Sequence, residues 1–357
     1  MSEVVRAALA AVVDGRTLSL DEARAAMGSV MDGEATSAQL AALLVALRMR
    51  GETTDELAGF AGAMRDRVVR VEAPAGTIDL VGTGGDGSGT FNISTTAALV
   101  VAAAGVPVAK HGNRAITSRS GSADVLDALG VRIDHDEASA GVALQREGFA
   151  FLFAPNFHPA MRHAGPTRRE IGVRTSFNLL GPLTNPAGAT RQVLGVGDTA
   201  AAPRLAEVAQ RLGTERTLVV HGAGVDELPL DGSGVILAVT PGKIERREVD
   251  AAELAALGLA PGSNADLAGG TPEENAALTE AILGGARGAR RDVVLLNAAA
   301  AFVAAGTAPE LGAGLALAGS VIDDGRASDL LGRLRLERTT ADAARAEAGS
   351  TAEGARA

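Results

Sequence analysis

The sequence of 357 residues contains no cysteine, no tryptophan and no tyrosine, and aromatic residues make up only 2% of it. Without cysteine the chain has no disulfide, no thiolate metal site and no cysteine nucleophile. The shortage of aromatic rings argues against the base-stacking surfaces of single-strand-binding proteins. Because 46% of the residues are hydrophobic, a large core built from Ala, Val, Leu and Ile is expected.

The chain is also short of positive charge, with 33 basic against 43 acidic residues and a formal net charge of −10. This balance argues against a protein held mainly by nucleic-acid phosphates or by an anionic membrane surface. No apolar run reaches the roughly 18 residues of a membrane span, and the N-terminal stretch is too short and too acidic for a signal peptide. We therefore expect a soluble, cytoplasmic protein of about two domains.

Residues 1–73 predict a small helical domain. Three pairs have the spacing of a capping box, in which an N-cap side chain and a residue three positions later satisfy each other's backbone N–H groups: Ser19 with Glu22, Thr36 with Gln39, and Thr53 with Glu56. Leucines at positions 40, 43, 44 and 47 form one helical stripe. Since no cluster of ionisable residues typical of catalysis occurs there, the segment is predicted to pack or to dimerise.

From residue 74 onward the pattern predicts an α/β domain. Short apolar strands are expected at 78–81, 106–109, 149–153, 192–196, 217–220, 234–238 and 243–249. Helices are expected at 94–104, 123–129, 203–212, 272–283 and 293–305. This alternation favours a central, mostly parallel sheet flanked by helices. The stretch 339–357 is poor in large apolar side chains and is predicted to be a frayed helix or a disordered tail.

A glycine-rich loop follows the first predicted strand of the sheet. Five glycines occupy positions 82, 84, 85, 87 and 89, and the helix that follows opens with Asn92, Ser94 and Thr95. Glycine permits positive φ and leaves backbone N–H groups bare, and a helix N-terminus adds further donors and a positive dipole end. The pattern predicts a phosphate site; a flexible turn before a helix cap is the alternative.

The glycine loop does not fit either of the two standard nucleotide-binding motifs. Gly82, Gly84 and Gly87 match GxGxxG, but the helix starts about seven residues late and the next strand ends in Lys110 instead of an acid. These departures disfavour a dehydrogenase. The phosphate loop GxxxxGK[ST] is absent.

A second polar loop follows the second predicted strand, at residues 110–122. It begins with Lys110, which is one of only two lysines in the chain, and it also contains an arginine, a histidine, an asparagine and several hydroxyls. Because the carboxyl ends of parallel strands line the ligand crevice of such sheets, this loop and the glycine loop together suit a polyanion. A polar surface loop is the alternative.

Five segments in order resemble the anthranilate phosphoribosyltransferase family. They are GTGGD with NIST in residues 82–95, KHGNR at 110–114, HPAMRH at 158–163, RTSFNLLGPLTNP at 174–186 and HGAGVDEL at 221–228. The resemblance extends from about residue 5 to 335. It implies the transfer of a 5-phosphoribosyl group from 5-phosphoribosyl 1-pyrophosphate (PRPP) to the amine of anthranilate, a step of tryptophan biosynthesis.

The resemblance also implies an architecture of the nucleoside phosphorylase and phosphoribosyltransferase type. The small helical domain would consist of residues 1–73 with a middle segment of about 167–190, and the larger α/β domain of residues 74–166 and 191–338. A homodimer through the small domains is implied. The resemblance implies no nucleic-acid partner and no membrane partner.

The site residues implied by the resemblance form three groups. PRPP would contact Gly82, Gly85, Asp86, Thr90, Asn92, Ile93, Ser94, Thr95, Lys110, His111, Gly112, Asn113, Arg114, Ala115, Ile116, Thr117, Ser118 and Ser122. Anthranilate would contact Gly82, Asn113 and Arg168. The cofactor Mg²⁺ would be held by Ser94, Asp226 and Glu227.

No residue is expected to act as a general acid or base, and Lys110, Asp226 and Glu227 would act electrostatically. His158 and His163 are expected beside the anthranilate channel. The chain departs from the family at Ala223-Gly224-Val225, where a polar or acidic residue is common.

The sequence alone also permits two other functions. One is a pyrimidine nucleoside phosphorylase of the same overall fold, although such enzymes carry a different glycine loop and a different lysine motif. The other is a non-catalytic relative that binds nucleic acid in a basic groove, which the charge of −10 and the acidic pair oppose.

Overall fold

The computed structural model describes residues 1–115 and 118–354, with side chains through residue 343. Two of the residues expected to contact PRPP, Ile116 and Thr117, therefore lie outside the described residues. The chain opens with four helices, α1 (Glu3–Val13), α2 (Leu20–Met31), α3 (Ser37–Arg50) and α4 (Thr54–Arg65). All three predicted capping boxes are present, at the starts of α2, α3 and α4. The leucine stripe of α3 is buried.

A sheet of seven strands follows. The strands are β1 (Ile78–Gly82), β2 (Val108–Gly112), β3 (Phe149–Phe153), β4 (Arg191–Gly195), β5 (Arg216–His221), β6 (Gly234–Thr240) and β7 (Lys243–Val249), in the order β3-β2-β1-β4-β5-β6-β7. The first five are parallel, whereas β6 and β7 are antiparallel. The predicted mostly parallel sheet is confirmed. Because β2 and β3 lie on one side of β1 and β4 on the other, the strand order reverses between β1 and β4, where ligands of such sheets bind.

Twelve further α-helices are described after α4. They are α5 (Ile93–Ala103), α6 (Ser122–Ala128), α7 (Glu137–Glu147), α8 (Ala154–Phe157), α9 (Gly165–Ile171), α10 (Phe177–Leu180), α11 (Ala202–Arg211), α12 (Ala251–Ala256), α13 (Pro272–Leu283), α14 (Ala289–Ala305), α15 (Leu311–Asp323) and α16 (Arg326–Gly354). None of the described helices is long and apolar enough to cross a membrane.

The last helix enters the stretch for which a frayed helix or a disordered tail was predicted. Residues 339–354 continue α16 as helix, in agreement with the first of these alternatives. Alanine, arginine and glutamate are strong helix formers, and they dominate this stretch. A scarcity of apolar side chains removes the packing that anchors a helix, but it does not remove the helical preference of the backbone.

The two faces of the sheet bury two separate cores. On β4, Val193 packs in the core formed with α5 and α14, and its neighbour Leu194 packs in the core shared with the helical bundle. Successive side chains of a strand point to opposite faces, so this division follows from the pleat. Phe177, Leu180 and Leu183 join the helical-bundle core. The bundle is therefore packed directly against one face of the sheet.

The second strand extends further than predicted. The sequence placed its end at residue 109 or at Lys110, but β2 continues through His111 and Gly112, and Lys110 pairs in register with Phe151 of β3. A charged side chain can occupy a buried strand here because Lys110 Nζ donates to the backbone oxygen of Leu80, at 2.6 Å.

Candidate active site

Two glycines end the neighbouring strands β1 and β4. Gly82 and Gly195 are register partners, and the chain that follows β5 lies directly over both. A Cβ atom on Gly82 would overlap Asp226 Oδ2, and one on Gly195 would overlap the backbone oxygen of Asp226. The absence of both side chains thus lets Asp226 reach the point where the strand order reverses.

The glycine loop between β1 and α5 lies beside this carboxylate. Gly84, Gly85, Gly87 and Gly89 have φ values of 62–74°, a region that favours glycine. The N–H of Gly84 donates to Asp226 Oδ2 at 3.0 Å. The loop therefore has the conformation that the glycine pattern predicted, and it is held against the acidic residues.

The start of α5 completes this side of the crevice. Asn92 is the N-cap residue, but its side chain makes no capping bond to the first turn. Instead, Asn92 Oδ1 accepts from Asn275 Nδ2 at 2.9 Å and from Ser120 Oγ at 3.1 Å. Ile93, Ser94 and Thr95 form the first turn of α5, and Thr90 forms a bridge with Ala268.

Three carboxylates cluster over the strand ends. Asp86, Asp226 and Glu227 place oxygen atoms within 4.8 Å of one another, close enough to bind one metal ion. Burial raises the pKa of Glu227 well above its ordinary value, and the charges of Asp226 and Asp86 raise it further. Burial, together with the charge of Asp86, also raises the pKa of Asp226.

This cluster passes a simple test for a cation site. Glu227 Oε2 is buried and has no hydrogen-bond partner among the described residues. Ser94 lines the same small cavity as Asp226 and Glu227, so the three expected metal ligands are brought together. Hard oxygen ligands of this type suit Mg²⁺.

Lys110 lies beneath the cluster, and only 2% of its surface is exposed. Its Nζ donates to the oxygen of Leu80 and lies 3.4 Å from Ser94 Oγ. Burial lowers the pKa of Lys110, and the charges of Asp79, Glu227 and Asp226 oppose that shift. The ammonium thus lies beside Ser94, one of the three expected metal ligands, on the inner side of the sheet.

A buried carboxylate holds the neighbouring strand ends together. Asp79 accepts from the N–H of His111 at 3.2 Å and from Asn185 Nδ2 at 2.7 Å. Asn185 Nδ2 also donates to the oxygen of Ala109. Burial raises the pKa of Asp79 to about 6.

The loop after β2 folds back onto α6. Asp124 accepts from the N–H groups of Ala115 and Gly121, and its other oxygen pairs with Arg114 at 2.8 Å. Arg114 also pairs with Asp127. Ser122 Oγ donates to the oxygen of Asn113 at 3.3 Å. Ser118 Oγ donates to the oxygen of Ser120 at 3.5 Å, and Ser120 Oγ donates to Asn92 at the start of α5, so this part of the loop contacts the helix that follows the glycine loop.

A second cavity, of about 530 Å³, opens from the strand ends toward the helical bundle. Gly82, Asn113 and Arg168, the three residues expected to meet anthranilate, all line it. Arg168 Cζ lies 4.7 Å from the ring centroid of Phe177, and burial lowers its pKa. No carboxylate pairs with Arg168 among residues 1–115 and 118–354, so its guanidinium can bind an anion.

Two histidines line the same cavity. His111 Nε2 lies 3.2 Å from His158 Nε2, and burial lowers the pKa of His111 to about 3 and that of His158 to about 4. Both rings are therefore neutral near pH 7. His163 does not line this cavity; its ring packs beside Gly33 of the helical bundle.

Sequence reasoning missed three residues that shape the site and assigned a fourth only in part. Asp86 was expected only as a PRPP contact, although it belongs to the acidic cluster. Asn185 and Arg174 lie in the segment RTSFNLLGPLTNP, whose polar residues could have drawn attention to them. Asn275 lies within the ordinary helix α13, and no sequence signal marked it.

Comparisons with known proteins agree with this geometry. Residues 75–328 match the family described as "Glycosyl transferase family, a/b domain", and residues 6–68 match "Glycosyl transferase family, helical bundle domain". The chain is 53% identical over 332 residues to the anthranilate phosphoribosyltransferase of Chloroflexus aggregans, covering 92% of this chain and 97% of that protein.

Two solved structures share the fold. The anthranilate phosphoribosyltransferase of Thermus thermophilus superposes with a TM-score of 0.87 at 47% identity, covering 93% of this chain and 99% of that one. The enzyme from Saccharomyces cerevisiae in complex with PRPP and Mg superposes with a TM-score of 0.86 at 26% identity, covering 95% and 99%. With these matches over nearly its whole described length, the chain belongs to the anthranilate phosphoribosyltransferase family of glycosyl transferases.

Proposed function

We propose that this enzyme transfers the 5-phosphoribosyl group of PRPP to the amine of anthranilate, giving N-(5-phosphoribosyl)anthranilate and pyrophosphate. One observation carries the proposal: a polar crevice with phosphate-binding features and a cavity of about 530 Å³ meet at Gly82. The crevice suits the charged sugar, and the cavity suits a small ring. This reaction is the second step of tryptophan biosynthesis from chorismate.

The pyrophosphate of PRPP would lie along the glycine loop. Bare N–H groups of the loop, together with the N-terminus of α5, favour negative charge without a flexible cationic side chain. The residues proposed to contact PRPP are the ones that the resemblance implies: eight residues within 82–95, the run 110–118, and Ser122. Ile116 and Thr117 lie outside the described residues and remain a prediction from the sequence.

Mg²⁺ would be held by Ser94, Asp226 and Glu227, to which we add Asp86. Bound there, the ion would neutralise negative charge on the pyrophosphate. Glu227 Oε2, which is buried without a hydrogen-bond partner among the described residues, supports this assignment. Lys110 would balance the charge of the carboxylates from inside the sheet, because its ammonium already lies beside Ser94.

Anthranilate would enter the larger cavity with its carboxylate toward Arg168. The planar guanidinium can form two parallel bonds with a carboxylate, and its position over Phe177 restricts its motion. Gly82 and Asn113 line the end of the cavity that meets the crevice. This placement directs the anthranilate amine toward C1 of the ribose.

In the reaction the nitrogen lone pair forms a bond to C1 as the bond from C1 to the pyrophosphate oxygen breaks. The electron pair of the broken bond leaves with pyrophosphate, and the nitrogen then loses one proton to solvent. An aniline nitrogen carries a free lone pair, so attack needs no strong base. Catalysis comes instead from holding two substrates in line and from stabilising the charge of the leaving group.

The proposal extends to the organisation of the enzyme. We propose that residues 1–73 and about 167–190 act as a small domain beside the α/β domain formed by residues 74–166 and 191–338. We further propose that two copies associate through their small domains. A cytoplasmic location remains a prediction from the sequence.

A single assay tests the proposed reaction. Purified protein is mixed with anthranilate, PRPP and Mg²⁺, and the loss of anthranilate fluorescence is followed; the absence of Trp and Tyr keeps the background low. We expect a loss that requires all three additions. No PRPP-dependent loss, combined with phosphorolysis of uridine or thymidine, would favour the nucleoside phosphorylase instead. Retention of DNA at moderate salt would favour a nucleic-acid-binding protein.

A further inference from the structure

The glycine loop is held from two sides by side chains that lie far from it in the sequence. On one side, Asp226 Oδ2 accepts from the N–H of Gly84. On the other side, Arg174 Nη1 donates to the backbone oxygens of Gly84 at 2.9 Å and of Gly85 at 3.0 Å. A Cβ atom on Gly85 would overlap the guanidinium of Arg174, so the contact depends on glycine at this position.

These two bonds determine the direction of two N–H groups. In a trans peptide, the oxygen and the N–H hydrogen point in opposite directions from one rigid plane. The oxygen of Gly84 shares its plane with the N–H of Gly85, and the oxygen of Gly85 shares its plane with the N–H of Asp86. Because both oxygens face Arg174, both N–H groups face away from it.

Glycine alone would not fix that direction. Gly84 and Gly85 have φ values of 62° and 65°, but glycine adopts positive and negative φ almost equally well. An outside contact is therefore needed to keep successive N–H groups converging on one anion. Arg174 donates one hydrogen bond to the oxygen of each of these two peptide groups.

We propose that Arg174 is a positioning residue, which holds the Gly84–Gly85 and Gly85–Asp86 peptide groups in the orientation that binds the pyrophosphate of PRPP. This inference rests on the proposed function. The residue has no place among the expected substrate contacts, and it acts through the backbone of the loop.

The same arginine connects the loop to the helical bundle. Two residues further along the chain, Ser176 Oγ donates to Glu52 Oε1 at 2.8 Å, and Glu52 lies 3.6 Å from Arg204 of α11. The segment that carries Arg174 is thus attached to the bundle, while the guanidinium of Arg174 donates hydrogen bonds to the glycine loop. The phosphate site is complete only when bundle and sheet keep this relative position.

The test compares Arg174→Ala and Arg174→Lys with a matched control, Arg216→Ala. Arg216 is also exposed and also donates to a backbone oxygen, that of Val303, but it lies at the opposite end of the sheet. For Arg174→Ala we expect the KM for PRPP to rise about 10- to 100-fold and the KM for anthranilate to change less than about twofold. Arg174→Lys keeps the charge but not the forked geometry, so it should recover only part of the loss. Arg216→Ala should resemble the unaltered enzyme.

A measurement without substrate separates positioning from direct contact. In ¹⁵N-glycine-labelled protein, the ¹H–¹⁵N nuclear Overhauser effects of Gly84 and Gly85 should fall in Arg174→Ala and stay unchanged in Arg216→Ala. Unchanged glycine signals with a raised KM would show that Arg174 touches the substrate and would overturn the proposal. Full recovery by Arg174→Lys, or an unchanged KM, would also overturn it. Failure of the proposed function would appear differently, as no Mg²⁺-assisted PRPP binding by the unaltered enzyme.

Discussion

Gly195 and Asp226 are packed so closely that the backbone oxygen of Asp226 occupies the space of a Cβ atom on Gly195. Neither residue type alone would produce a cation site. The glycine ends β4 without a side chain, and the acidic residue fills the resulting space at the point where the strand order reverses. The position of the proposed metal ligands is therefore set by a strand residue that has no expected contact with any substrate.

Gly195→Ala should move Asp226 and weaken Mg²⁺-dependent PRPP binding. The new methyl group would collide with backbone and not with a flexible side chain, so the neighbouring chain must shift. We expect PRPP affinity in the presence of Mg²⁺, measured by calorimetry, to fall at least about tenfold. Gly319→Ala is the control, because nothing lies within 4 Å of its added Cβ. Equal affinities for both variants would contradict the account.

Arg168→Ala should raise the KM for anthranilate strongly and that for PRPP little. The guanidinium lines the larger cavity without a carboxylate partner among the described residues, so its removal takes away the proposed charge-assisted bonds to anthranilate. Such bonds contribute about 2–4 kcal/mol when buried, or roughly 30- to 1,000-fold in KM. Steady-state kinetics with each substrate varied would measure both values. Equal losses on both substrates would contradict the assigned role.

Mg²⁺ binding should release protons. Burial and the charge of Asp86 raise the pKa values of Glu227 and Asp226, whereas a bound cation requires both groups as carboxylates. Affinity for Mg²⁺ in the presence of PRPP should therefore increase with pH. Calorimetry in two buffers of different ionisation enthalpy would count the protons, and Glu227→Gln should reduce the count. The same proton count for the unaltered enzyme and for Glu227→Gln would contradict this prediction.

The two cavity histidines should make the protein less stable in mild acid. Their pKa values of about 3 and about 4 lie below the ordinary value of about 6.5, so the unfolded chain binds protons that the folded chain does not. This stability is present above about pH 6.5 and is lost as pH falls toward 4. From pH 7 to 5, we expect each histidine to lower the free energy of unfolding by about 2 kcal/mol.

Urea unfolding of the unaltered protein and of His158→Phe would test this. The loss between pH 7 and 5 should be smaller in the variant. Asp79 acts in the opposite direction, since its pKa is raised to about 6, but it is common to both proteins. The same pH dependence in both would show that the folded protein does not keep His158 neutral.

Glu56 should be important for the stability of the helical bundle. Its side chain is fully buried, accepts from the N–H groups of Leu18 and Thr53, and pairs with Arg50. Glu56→Ala leaves two N–H groups and a guanidinium without their partner, and we expect the free energy of unfolding to fall by about 2–4 kcal/mol. Glu3→Ala, which removes an exposed ion pair with Arg6, should change it by less than about 0.5 kcal/mol. Similar values for the two variants would contradict the role of Glu56.

Features that depend on local chemistry could be predicted from the sequence. The capping boxes of α2, α3 and α4 and the bounds of α13 depend on side chains a few residues apart, and the structure contains them. The glycine loop was predictable for the same reason, because the left-handed backbone at Gly84 and Gly85 requires that residue type.

Features that depend on distant parts of the chain could not be predicted in this way. The burial of Lys110 inside β2 was not predicted, because the partner of its ammonium, the oxygen of Leu80, lies on another strand. Asn275 is 183 residues from Asn92, which it orients. Arg174 is 89 residues from Gly85, and only the packing of the helical bundle against the sheet brings the two together.

The most direct test of the account is a crystal structure of this enzyme with PRPP and Mg²⁺. The account predicts that the pyrophosphate lies against the N–H groups of Gly85 and Asp86, with the ion bound by Asp226 and Glu227. A pyrophosphate bound elsewhere, or an ion that contacts neither carboxylate, would contradict it.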